Sequence, residues 1–114
     1  MKTLLFAAAS FALAAALPAF AEASAFANVA LVDVNCSTKV KDNPDAHPRS
    51  CALKCAGSGY GIWTDGKYVK FDAAGNEKAK ALLEGSSKTD HLRVDVKGQL
   101  EGDILKVESL TFAE

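Results

Sequence analysis

The chain has 114 residues, 13 basic and 14 acidic, a formal net charge of −1, and 49 % hydrophobic residues. That is enough for one domain and too little for a large core, and no segment is dominated by one sign of charge, which argues against a nucleic-acid binder or an anionic-membrane binder. Three cysteines in a chain of this size are the compositional feature that calls for an explanation.

The first 21 residues have the order of a cleavable secretory leader. Lys2 supplies the charged start, Leu4 to Leu17 the apolar run, and Ala19-Phe20-Ala21 a small-x-small cleavage site. Pro18 interrupts the run, which favours a leader over a membrane-spanning helix. The expectation is a periplasmic or secreted protein with residues 1–21 as signal peptide, residues 22–114 as a single domain, and no stable membrane anchor after cleavage. With Lys2 removed, 12 basic residues face 14 acidic ones, a charge of about −2.

From Phe26 to Asn35 the sequence FANVALVDVN alternates, with Val29, Leu31 and Asp33 on one face, and reads as a first strand. The polar stretch 36–47 reads as a loop. Pro48 suits the start of a helix, which SCALKCA continues until Gly57-Ser58-Gly59 ends it. YGIWT and KYVKFD on either side of Asp65-Gly66 form the clearest hairpin signal in the chain. Ala73 to Glu84 reads as a second helix, with Asn76 as N-cap and Gly85 as stop. LRVDVKGQL then places Leu92, Val94 and Val96 on one face, and Glu101-Gly102-Asp103 turns the chain into ILKVESLTF.

The predicted order is strand, short helix, hairpin, helix, strand, strand. Five strands with the main helix between the third and fourth give an α+β fold, mainly β with two short helices, arranged as an OB-fold-like five-stranded barrel. The Cys/His-bearing helix lies between strands 1 and 2. The tail formed by Val94, Val96, Gly98, Gly102 and Val107 resembles the closing strands of small exported bacterial OB-fold domains that carry a Cys/His-bearing insert after the first strand. The resemblance spans about residues 29–112 and implies a fold, with Gly98 where a strand bends sharply, rather than an activity.

Cys36, His47, Cys51 and Cys55 form the candidate site. Three thiolates and an imidazole are the ligand set of a closed tetrahedral zinc site, and sulfur ligands also suit copper(I). Cys51 and Cys55 are four apart and share a face of a helix. If that helix ran unbroken from His47, about 1.5 Å per residue would put His47 and Cys55 roughly 12 Å apart, so the site requires the helix to begin after His47. Pro48 makes that break, since the residue before a proline avoids helical geometry.

A second reading stands beside the metal. Cys36 could pair with Cys51 or with Cys55, stabilising the fold by about 3 kcal/mol. A Cys51–Cys55 bond fits regular helix poorly, because side chains at that spacing are too far apart. The domain would then bind a small ligand or a protein without metal. A third reading is a reactive thiol near the helix start, with Cys51 the better placed.

Asp90-His91 is a further candidate for ligation or proton transfer, against the plainer role of a surface loop. Tyr60, Trp63 and Tyr68 suit either a stacking platform or packing within the hairpin. Asp33, Asp42 and Asp45 lack the spacing of a calcium loop and read as solvated charges. No hydrolase, metalloprotease or phosphate-loop motif is present, the C-x3-C spacing fits neither thiol-redox nor haem motifs, and a non-enzymatic role is expected.

Overall fold

The structure, a computed structural model, describes residues 22–114; the leader expected over residues 1–21 lies outside them. Five strands, β1 (Glu22–Asp33), β2 (Tyr60–Thr64), β3 (Lys67–Phe71), β4 (Arg93–Glu101) and β5 (Ile104–Phe112), close into a barrel in the order β1-β2-β3-β5-β4. The pairs are antiparallel except β3 with β5, which meet in parallel through Lys70↔Ile104 and Phe71↔Leu105. Helix α1 (Arg49–Lys54) lies between β1 and β2, and α2 (Ala73–Glu84) between β3 and β4. The fold is the OB-fold-like α+β barrel expected from the sequence.

The alternation read in the strands is realised as burial. Val29 and Leu31 of β1, Ile62 of β2, Val69 and Phe71 of β3, Val94 and Val96 of β4, and Leu105 and Val107 of β5 make up the barrel core. Helix α2 adds Ala79 and Leu83, both fully buried. Asp65 and Gly66 take positive φ (48° and 74°), the geometry of the tight hairpin turn that their sequence favours. At Gly98 the β4–β5 register shifts, and a Cβ there would lie 2.0 Å from the Lys106 carbonyl oxygen, so only glycine fits this close approach.

Two local expectations are corrected. The first strand begins at Glu22 rather than Phe26, because residues 22–26 pair with β4 from Leu100 to Val96 although their small side chains alternate weakly. The N-cap of α2 is Asp72, not Asn76: Asp72 Oδ1 accepts from the Gly75 and Val107 amides, while Asn76 lies inside the helix and accepts from the Tyr60 amide.

Residues 34–59 form an insert of short turns around α1, held at one end of the barrel by specific bonds. Val34 N donates to Gly59 O, the Tyr60 hydroxyl to Ala52 O, and the Trp63 indole to Ser37 O. Arg49 donates to Lys88 O, and Arg93 makes a two-pronged bond to Asp45 at 2.9 Å. Such a bidentate pair fixes orientation as well as distance. The hairpin aromatics therefore pack and anchor: Tyr60 is fully buried, and Tyr68, 5.4 Å from the Trp63 ring, bonds Val32 O.

Candidate metal centre

Asp33 ends β1 on the face that carries Val29 and Leu31, so its carboxylate points into the mouth of the barrel rather than into solvent. It is fully buried, which corrects its reading as a solvated charge; Asp42 is exposed, and Asp45 is the partner of Arg93. A buried carboxylate is tolerated only when its oxygens are bonded. Asp33 Oδ2 accepts from the Cys36 amide at 3.0 Å and caps the 3-10 turn Val34–Cys36, and Oδ1 accepts from His47 Nε2 at 2.6 Å.

His47 reaches this position because the helix starts late. Pro48 is the N-cap of α1 and His47 is extended (φ −71°, ψ 118°), so the ring turns back toward β1. It is buried at 6 % exposure. Cys36 completes the group: the ligand atoms of Asp33, Cys36 and His47 all lie within 4.8 Å of one another. Burial pushes the Cys36 thiol pKa above its ordinary value, and the charges of Asp33 and Cys55 together with the thiol's hydrogen bond to Asp33 push it the same way.

Of the four expected ligands, the structure brings Cys36 and His47 together and adds Asp33. Cys51 and Cys55 are not in the group. Helix α1 buries Ala52 and packs Leu53 against the core, which turns Cys51 outward into solvent. Cys55 is the C-cap, half-buried, and its Sγ accepts from Asn35 Nδ2 at 3.4 Å. All three cysteines are free thiols. Asp90 and His91 bond each other at 2.7 Å on the exposed surface, outside the group.

The sequence did contain a signal for Asp33. A carboxylate in register with Val29 and Leu31 on a core-facing strand needs a partner, and a nearby histidine preceded by polar loop residues can supply one.

As a donor set, carboxylate oxygen, imidazole nitrogen and thiolate sulfur suit a borderline ion such as zinc. Two zinc ligands at about 2.0–2.1 Å in tetrahedral array are about 3.3 Å apart, so Asp33 and His47 would separate by under ~1 Å to admit the ion. Three surface hollows, of about 540, 250 and 200 Å³, lie beside Phe26 and Trp63, beside Gly98, and beside Tyr68, and none of the three is lined by Asp33, Cys36 or His47. Compared with protein-family models, curated proteins and solved structures, the chain matches none.

Proposed function

We propose that this chain is an exported, non-enzymatic metal-binding domain whose ion is held by Asp33, Cys36 and His47. The observation that carries the reading is the meeting of a buried carboxylate, a buried imidazole and a half-buried thiol, their ligand atoms within 4.8 Å of one another, at one end of the barrel. Zinc is favoured over copper(I), because the carboxylate is a hard ligand that a soft monovalent ion does not prefer. Binding replaces the protons that join the three side chains, and the insert supplies the two ligands that β1 does not. The leader pattern of residues 1–21 supports export.

The test is zinc titration of the reduced, metal-free protein, followed by cobalt substitution. Expected are one ion per chain and a thiolate-to-cobalt absorption band that disappears in Cys36→Ser. Cys51→Ser should leave both unchanged. No zinc binding by the reduced wild type sinks the reading, as does a cobalt spectrum without sulfur character. A mature N-terminus at Glu22, read by mass spectrometry, tests export separately.

A further inference from the structure

Two short segments lie side by side at the barrel mouth. The turn Val34–Cys36 and the turn Ala56–Ser58 are joined by Val34 N donating to Gly59 O (2.9 Å) and Asn35 N donating to Ser58 Oγ (3.1 Å). The Ser58 hydroxyl in turn donates to Cys55 O (2.7 Å). Asn35, the residue directly before Cys36, reaches the Cys55 sulfur itself at 3.4 Å. Cys55 is the C-cap of α1, with φ −99° and ψ 19°, and it leads directly into the turn Ala56–Ser58. Cys36 and Cys55 are half-buried, whereas Cys51 is exposed on the outer face of α1.

We propose that Cys36 and Cys55 are a disulfide pair, formed when the protein meets a small-molecule disulfide, with Cys51 left as the free thiol, and that the bond closes the metal group by taking the Cys36 sulfur. The exchange balances through a mixed disulfide. One cysteine thiolate attacks the oxidant and releases one thiol. The second cysteine thiolate then attacks the mixed disulfide and releases the other. The S–S bond of the oxidant is broken, the protein gains one, and the two protons and two electrons leave with the two released thiols. Of the pairings open to Cys36 in the sequence, this is the one the chain path supports. The loss of metal rests on the function proposed above; the disulfide does not.

The protein, expressed from its full coding sequence and stripped of metal, is equilibrated with oxidised glutathione in excess and mapped by mass spectrometry. The three cysteines fall in three different tryptic peptides, ending at Lys39, at Lys54 and at Lys67, so the linkage is read directly. Expected are a bond between the Cys36 and Cys55 peptides and a Cys51 peptide that is alkylated or carries glutathione. A bond from Cys51 to another cysteine of the chain, or the absence of a Cys36–Cys55 bond, overturns the proposal. Zinc is then offered to the oxidised wild type, to the same sample after reduction, and to the Cys51→Ser/Cys55→Ser variant kept reduced. The oxidised wild type should bind zinc at least tenfold more weakly than the two reduced samples. Retention of zinc by oxidised wild type overturns the coupling. Failure of reduced protein to bind zinc removes the proposed function and leaves the peptide map to decide the disulfide.

Discussion

Replacing Asp33 with alanine removes the acceptor of two bonds at once, from the Cys36 amide and from His47. Loss of a side-chain cap costs about 1 kcal/mol. The bond to a charged group contributes about 1.5–3 kcal/mol, and the stranded donor adds a desolvation cost of about 1–3 kcal/mol. These overlap, and the removal of one member of a buried pair costs about 3–5 kcal/mol in all. Asp33→Asn keeps one carbonyl oxygen in place and should cost about 1–2 kcal/mol. Equilibrium urea unfolding, with reductant and chelator present so that neither disulfide nor metal contributes, can be followed through Trp63, the chain's single tryptophan, whose indole is bonded to the insert. At about 1 kcal/mol per molar urea, the Asp33→Ala midpoint should fall by about 3–5 M. In a double-mutant cycle, Asp33→Ala with His47→Ala should show a coupling of about 2 kcal/mol, since the two share one bond. An Asp33→Ala variant within about 1 kcal/mol of wild type would refute the reasoning, as would strict additivity in the cycle.

The two tyrosines of the chain provide an alkaline test. Burial and the charge of Asp33 push Tyr60 up to about 12 and raise Tyr68 as well, so the folded state favours the neutral phenol. Their contribution to stability is complete below the ordinary value of 10 and is lost as pH rises above it; phenolate absorption should therefore appear cooperatively with unfolding, and gradual titration of both groups near 10 would contradict this. Hydrogen bonding from Arg93 holds the Asp45 carboxyl below its ordinary 3.8, a contribution present above that value and lost as pH falls through the lowered one. Both side chains are partly exposed (38 % and 26 %), so Asp45→Asn should cost only about 1 kcal/mol at neutral pH, and its difference from wild type should shrink below about pH 4. Gly98→Ala places a Cβ against the Lys106 carbonyl and should destabilise by about 3 kcal/mol or more, read as a lower urea midpoint; an unchanged midpoint would mean that β4 and β5 approach less closely.

The strand pattern and both helices were legible because their signals are local. Asp65-Gly66 encodes a tight turn through two residues that accept positive φ, and Pro48 both starts α1 and keeps His47 out of it. The N-cap of α2 was not legible, because Asp72 reads as the end of a strand until β5 brings the Val107 amide to its carboxylate. The strand start at Glu22 escaped for a similar reason: its small residues gain their strand character from β4.

The same distinction explains the candidate site. The spacing of Cys51 and Cys55 describes a helix in isolation and says which side chains share a face, but the core decides which face turns inward. Here Ala52 is fully buried and Leu53 packs beside it, so Cys51 faces solvent. Acidity alone marks Asp33 as a solvated charge, whereas its register on β1 marks it as a core-facing residue. A charged residue in phase with Val29 and Leu31 must be exposed by a break in the strand or satisfied by partners brought from elsewhere. The insert does the latter: its first turn supplies the Cys36 amide and thiol, and the extended residue before α1 supplies the imidazole. The barrel fixes the carboxylate and the insert brings the other donors to it, so the chemistry of this mouth depends on the insert staying docked. The bonds from Tyr60, Trp63, Arg49 and Arg93 are therefore part of the site although none of these side chains belongs to the donor group.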